Sequence, residues 1–293
     1  MHLELASPCK INLVLNILGR RPDGFHELET VMYPVNVCDR IVLEEASGGI
    51  EFACDDPRLP TDESNLVVRA ARAFFAAAPV SGGVRIQLTK RIPLAAGLGG
   101  GSGNAATTLL GLNRLFGEPL ASGALGALGA RLGSDVPFFL EARPALATGR
   151  GEQVTPLEPF AALRGLWLFL VHPGFGIPTA WAYGQLARFP AALRGRPGRA
   201  AELVALLRAG DLPAAAGSLY NALEAPALQK YPVLGLYQEF CRAEGALATL
   251  MSGSGSTTFA WVAGAEAAAR LRDRFVDRFG ARGWLATVPL GEG

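Results

Sequence analysis

The chain has 293 residues, half of them hydrophobic and 18% charged, with a formal net charge of +1. That length holds one large domain or two ordinary ones, and the composition is that of a compact globular enzyme, not a disordered or fibrous chain. A charge so near balance leaves no electrostatic footprint for nucleic acid or an anionic membrane surface, so neither partner is expected.

Glu4 and Lys10 interrupt what would be the apolar region of a signal peptide, so no export signal is expected. The apolar run Leu166–Val171 is too short to span a bilayer. Cys9, Cys38, Cys54 and Cys241 form no Cys-x-x-Cys pair and have no histidine nearby, which argues against a disulfide framework or structural zinc and fits a reducing cytoplasm. His2, His26 and His172 are scattered, and no metal ligand is assigned.

In chain order, alternation of apolar and polar residues predicts strands over 2–6, 11–18, 31–37 and 40–46. In the second, Ile11, Leu13, Leu15 and Ile17 share one face, and Lys10, Asn12 and Asn16 the other. Pro22-Asp23-Gly24 is a turn signature. Apolar residues at helical spacing predict a helix over 64–77, and a strand follows over 83–89. Between that strand and a helix expected over 105–116 lies Pro93, Leu94, Ala95, Ala96, Gly97, Leu98, Gly99, Gly100, Gly101, Ser102 and Gly103. Five of its last seven residues are glycine, which lets backbone amides approach a ligand closely. A helix start behind such a loop offers free N–H groups and a positive dipole end, a natural phosphate site. It is not a Walker loop, because Asn104 and Ala105 stand where Lys-Ser/Thr would be, and no register supplies the dinucleotide fingerprint.

A second helix is expected to end near Leu132, before Gly133. Beyond Thr155 a buried strand (166–171), helices over 179–188, 200–220 and 234–244, strands over 246–250 and 258–262, a helix over 264–279 and a final strand near 284–288 are expected. Met251-Ser-Gly-Ser-Gly-Ser256 is a second glycine-rich turn. Mixed strands and helices predict two α+β domains, 1–158 and 159–293.

Phosphoryl transfer needs a phosphate cradle, a group that accepts or orients the hydroxyl proton, and a cation for developing charge. The glycine loop supplies the first. Asp135 in Gly133-Ser-Asp-Val-Pro137 is a candidate for the second, although Asp just before Pro also reads as a plain helix cap. Lys10 is a candidate for the third, against the blander reading of a strand-end lysine turned to solvent. Phe25, His26 and Tyr183 on local grounds alone are an anchor, a surface imidazole and a core aromatic.

Taken together, Ala6-Ser-Pro-Cys-Lys-Ile-Asn-Leu13, Arg21-Pro-Asp-Gly-Phe-His-Glu-Leu28, Lys90-Arg-Ile-Pro with the glycine loop, Gly133-Ser-Asp-Val-Pro137 and Met251-Ser-Gly-Ser-Gly255 resemble the GHMP kinases. Within that superfamily the Pro-Asp-Gly-aromatic-His element is similar to the family of kinases acting on 4-diphosphocytidyl-2-C-methyl-D-erythritol, in the non-mevalonate isoprenoid pathway. The resemblance implies a two-domain GHMP architecture with the active site in the cleft between domains. It implies ATP and Mg²⁺ as cofactors and the cytidine-diphosphate-linked methylerythritol as small-molecule substrate, phosphorylated on its 2-hydroxyl. Lys10 and Asp135 would be the catalytic pair. The loop from Pro93 to Gly103, with Asn65, Lys90 and Asn104, would surround the nucleotide. Phe25 and Tyr183 would sandwich the cytosine and His26 would bond its edge. Asn12 would meet the erythritol, with Thr179, Gly253 and Gly255 also around the substrate. Three departures stand out: Gly103 replaces the second of two serines, Ala95 and Ala96 replace common glycines, and Phe25 replaces a tyrosine.

Overall fold

The structure, a computed structural model, describes residues 2–291. It divides into two compact units that interleave along the chain. The first holds residues up to Cys9, Val37–Ile92 and Gly99–Ala142; the second holds Lys10–Asn36, Pro93–Leu98 and the chain from Arg143 onward. Two long strands, β1 (His2–Arg20) and β2 (His26–Ala46), each contribute residues to both units. They replace the four short strands expected from the sequence and run on through the expected junctions, Pro8 included.

In the first unit, β2 pairs antiparallel with β4 through Ile41–Leu88 and Leu43–Ile86, and β3 (Gly49–Cys54) lies parallel to β4 (Gly83–Thr89) on its other side. Val84, Ile86 and Leu88 are buried and alternate with exposed Arg85 and Gln87, the period of two that predicted β4. The helix α1 (Leu66–Ala77) buries Val67, Val68, Ala70, Ala71 and Phe74. Asn65 caps it: its Oδ1 accepts from the Val67 N–H at 2.9 Å. The helix α2 (Gly100–Leu115) starts five residues before the expected 105, so the last glycines of the loop form its first turn. α3 (Ser122–Leu132) and α4 (Val136–Glu141) complete the unit. β3 went unseen in the sequence because six residues are too few to establish a period, and α4 was marked only by the cap reading of Asp135.

One carboxylate ties these elements together. Asp39 on β2 is 1% exposed. It accepts from the Arg91 and Ile92 N–H groups at 2.7 and 2.9 Å, from Asn104 Nδ2 at 2.9 Å, and from the Lys90 ammonium. Asn104 in turn donates to Ser7 Oγ and accepts from Lys90. A charge this deeply buried persists only when its lone pairs are this fully used.

In the second unit, β5 (Ala145–Thr148) and β6 (Gln153–Pro156) form a hairpin, with β5 on β2 through Thr30–Ala147. The strand β7 (Leu166–His172) is apolar up to Val171 and is an inner strand of a four-stranded antiparallel sheet. After it come α5 (Thr179–Gln185), α6 (Pro190–Leu193), α7 (Arg199–Ala209) and α8 (Leu212–Gly217). The single helix expected over 200–220 is two, because Gly210 turns left-handed at φ +77° and ends α7. β8 (Tyr220–Asn221) pairs parallel with β1 at Val14 and Leu15. α9 (Glu224–Lys230), α10 (Pro232–Ala243), β9 (Ala248–Met251), β10 (Thr258–Ala263), α11 (Ala265–Phe279) and β11 (Trp284–Pro289) follow, giving the sheet order β11-β7-β10-β9. α10 and α11 cover that sheet: Phe169, Val171, Ala260 and Val262 pack with Tyr237, Leu271 and Phe275. Among the described residues no helix is long and apolar enough to cross a membrane.

Buried polar groups do precise work here too. Glu29 accepts from the Gly198 and Ala200 N–H groups at 3.0 and 3.2 Å, so a carboxylate sits at the positive end of α7. Asn16 donates to the same Glu29 and to the Arg196 carbonyl, which explains the second asparagine on the polar face of β1. Asn221 Nδ2 donates to the Met251 and Gly253 carbonyls at 2.7 and 2.8 Å. Glu224 accepts from the Met251 N–H at 2.8 Å and from Gln238 at 2.5 Å, so Met251 is held at both its N–H and its C=O.

Removing one partner of a buried ion pair leaves the other uncompensated, so Asp39→Leu costs about 3–5 kcal/mol in urea denaturation, and adding Lys90→Met recovers part of it. Burial pushes the Glu224 carboxyl above its ordinary value, against the downward pull of the Met251 N–H and the Gln238 amide. Its folded form therefore keeps a proton that the unfolded chain has lost. Stability from this group is full below the ordinary glutamate value and falls as pH rises through the raised one. Glu224→Gln keeps the acceptor for both donors and removes that decline, which wild-type and variant urea midpoints across an acid-to-neutral pH series measure directly.

Candidate active site

Residues 93–98 of the glycine loop lie in the second unit, and their carbonyls are committed. The Ala96 carbonyl accepts from Thr257 N at 3.1 Å. The Gly97 carbonyl accepts from Ser252 Oγ at 3.0 Å and Lys10 Nζ at 3.1 Å, and the Leu98 carbonyl from Lys10 N at 2.9 Å. In a planar trans peptide the C=O and the following N–H point opposite ways. The N–H groups of Gly97, Leu98 and Gly99 are therefore turned away from those partners. Gly97 has φ +77°, and a Cβ there would fall 2.0 Å from the Ser252 carbonyl, so no other residue fits. Ala95 adopts φ +51°, a conformation that costs about 1–2 kcal/mol for a residue with a Cβ. Its methyl faces Gly176, where a side chain would leave no room for it.

In the first unit, Gly99 turns left-handed at φ +69° and starts α2 without a side-chain cap. No acidic residue stands in that first turn. The early N–H groups of α2 and its positive end thus present an anion site made of backbone, with Ser102 on the same turn. Gly103 departs from the family's serine for a steric reason: a Cβ would lie 2.6 Å from the Pro8 carbonyl and 3.5 Å from the Phe139 ring.

Three side chains expected around the nucleotide are occupied structurally in this unit. Asn65 spends its Oδ1 on the α1 cap and its Nδ2 on the Pro60 carbonyl. Lys90 and Asn104 are consumed by the Asp39 network, with the Lys90 side chain 6% exposed. Asp135 occupies the cap position of α4, as its simpler reading required, yet its side chain makes no capping bond.

Lys10 is 3% exposed, which excludes the solvent-facing strand end. Its ammonium donates to Asn12 Oδ1 and to the Gly97 carbonyl. Asn12 Nδ2 donates to Thr30 Oγ1 at 2.8 Å, and Thr30 donates to the Val14 carbonyl at 2.5 Å. Gly253 lies against Gly97 and Lys10, so the C-terminal glycine turn meets the phosphate loop within this unit. Thr179 Oγ1 and Ser254 Oγ are 3.0 Å apart, which brings the start of α5 to the same turn, beside Gly255.

The aromatic residues are also in the second unit. The predicted turn closes with the Arg21 N–H on the Phe25 carbonyl and the Phe25 N–H on Asp23 Oδ1. Phe25 is 51% exposed with the Arg150 guanidinium 4.6 Å above its ring. The His26 and Tyr183 rings are 5.1 Å apart at 39°. Burial, with the nearby Arg20 charge second, holds the His26 imidazolium below its usual range, so the ring is neutral at pH 7.

Sequence reasoning missed Asp39, Thr30, Asn221 and Ser252 as parts of this framework. Nothing local marks the first three. Ser252 had a signal, its place in the serine-glycine turn.

The chain matches the model described as GHMP kinases N terminal domain over residues 65–143 and the model for GHMP kinases C terminal over 190–281. It is 43% identical over 281 residues to the 4-diphosphocytidyl-2-C-methyl-D-erythritol kinase of Synechococcus sp. (strain JA-3-3Ab), covering 94% of this chain and 90% of that one. It is 40% identical to the enzyme of the same name from Geobacter sulfurreducens, with 98% of each covered. A crystal structure of 4-(cytidine 5'-diphospho)-2C-methyl-D-erythritol kinase superposes with a TM-score of 0.79 at 36% identity, covering 99% of this chain and all of that one. With this identity over nearly its whole length, and with the phosphate loop and the Lys10–Asn12 pair where the motifs put them, the chain belongs to the 4-diphosphocytidyl-2-C-methyl-D-erythritol kinase family of the GHMP kinases.

Proposed function

We propose that this kinase transfers the γ-phosphoryl group of ATP to the 2-hydroxyl of 4-diphosphocytidyl-2-C-methyl-D-erythritol. The observation that carries this is the buried Lys10 ammonium bonded to the Gly97 carbonyl, which joins a cation to a loop whose amides are turned outward. Asp135 takes or orients the hydroxyl proton as the new O–P bond forms. Lys10 offsets the charge that develops on the transferred group. The backbone of residues 93–103 cradles the phosphates, where each N–H is worth most in a site closed to water.

Mg²⁺ accompanies ATP in this reading. Among the described residues there is no group of three or more His, Cys, Asp or Glu side chains able to hold a metal. Mg²⁺ characteristically keeps several waters and binds through substrate phosphates with only one or two protein carboxylates, so it needs no such cluster, and the Ser102 hydroxyl would be a further contact. Asn65, Lys90 and Asn104 support the nucleotide site from behind through the α1 cap and the Asp39 network.

Phe25, whose ring is exposed, and Tyr183, with His26 packed beside it, sandwich the cytosine. Neutral His26 both donates and accepts at the cytosine edge. Asn12 faces the erythritol end, and Thr179, Gly253 and Gly255 border the diphosphate. A cytoplasmic setting fits four cysteines that form no Cys-x-x-Cys pair.

ADP release with Mg²⁺-ATP is the direct test. Turnover is expected with the cytidyl substrate and not with homoserine or mevalonate; turnover with either of those would discard the cytosine pocket. Asp135→Asn lowers kcat by about 10²–10⁴ while ATP binding, followed by calorimetry, persists. Tyr183→Ala raises KM for the cytidyl substrate roughly 5- to 150-fold and leaves KM for ATP in place, the range expected for loss of one aromatic-base stack.

A further inference from the structure

We propose that Thr30 is a positioning residue: its hydroxyl sets the orientation of the Asn12 amide and, through it, the direction of the Lys10 ammonium. The proposal rests on the reading of Lys10 as catalytic.

The argument is one of hydrogen-bond polarity. The Val14 carbonyl can only accept, and Thr30 Oγ1 lies 2.5 Å from it, so the single hydroxyl proton of Thr30 is spent there. Toward Asn12, 2.8 Å away, Thr30 is left with lone pairs only. Asn12 must therefore turn its NH₂ to Thr30, which leaves its Oδ1 facing Lys10. An ammonium can only donate, so this is the one arrangement in which all three contacts are favourable. The reversed amide would set NH₂ against ammonium and a carbonyl oxygen against a hydroxyl with no proton to give.

The three side chains are 3%, 2% and 3% exposed for Thr30, Asn12 and Lys10, so water does not compete for the contacts. Thr30 is held by the sheet and not by a loop: it stands on β2 in register with Ala147 of β5. Its branched side chain restricts χ1 and keeps the hydroxyl in one place. Asn12 Oδ1 and the Gly97 carbonyl then fix two of the three Lys10 N–H directions, and the third follows from tetrahedral geometry. The polarity of the Val14 carbonyl is thereby handed through two side chains to the catalytic cation.

The test compares Thr30→Val, which keeps shape and removes the hydroxyl, with Thr30→Ser, which restores it, and with Lys10→Met. Steady-state kinetics with the cytidyl substrate and Mg²⁺-ATP are read beside thermal melts. Thr30→Val is expected to lower kcat about 10- to 100-fold with KM for ATP unchanged, and Thr30→Ser to recover most of that loss, as misaimed catalytic groups cost rate more than binding. Wild-type kcat in Thr30→Val while Lys10→Met is inactive would overturn the relay alone. Equal losses in Thr30→Val and Thr30→Ser, or losses that follow the melting temperature and vanish on cooling, would reduce Thr30 to a structural role and overturn it as well. Full activity in Lys10→Met would remove the catalytic reading of Lys10 and the proposal with it.

Discussion

A loop that offers N–H groups to a phosphate must have its carbonyls held by something else. In this protein Thr257, Ser252 and Lys10 hold the carbonyls of Ala96, Gly97 and Leu98. The peptide planes are thereby set, with the N–H groups on the side away from those partners. Lys10 serves twice: its backbone N–H fixes Leu98 and its ammonium fixes Gly97. The strand that carries Lys10 is thus also the strand that shapes the glycine loop.

Much of the second unit serves this constraint at one remove. Met251 and Gly253 are clamped by Asn221 and Glu224, and that clamp holds the turn from which Ser252 reaches Gly97. The loop pays for its approach with positive φ at Gly97 and even at Ala95, where a methyl is tolerated because Gly176 vacates the space it needs. In the first unit the Asp39 carboxylate gathers Lys90, Arg91, Ile92 and Asn104 and so fixes the start of α2. Lys90 and Asn104, expected around the nucleotide, are also bonded to each other and to Asp39 within this network.

How much of this was legible depended on sequence distance. The alternation in β4, the apolar stripe of α1 and the run of β7 are local patterns, and each element formed where its pattern lay. Asn65, immediately before the apolar run of α1, was a capping signal in plain view and was read only for its kinship to a nucleotide site. The short elements β3 and α9 escaped because six or seven residues complete too few turns or pleats to show a period. The early start of α2 escaped because glycine reads as loop, whereas Gly103 is helical with its missing side chain filled by the Pro8 carbonyl.

By itself the sequence determined the family, the glycine loop and the turn before Phe25, since all of these are written in contiguous motifs. Only the tertiary structure decided who holds whom. Asp39 meets Lys90 across 51 positions, Ser252 meets Gly97 across 155, and Glu29 meets the start of α7 across 169. Such pairs obey no period, and their partners are chosen by which strands lie side by side and which polar atoms would otherwise be buried without a bond. The same rule chose the direction of the Asn12 amide, which the sequence names but cannot orient, because the proton that orients it belongs to Thr30, 18 residues away.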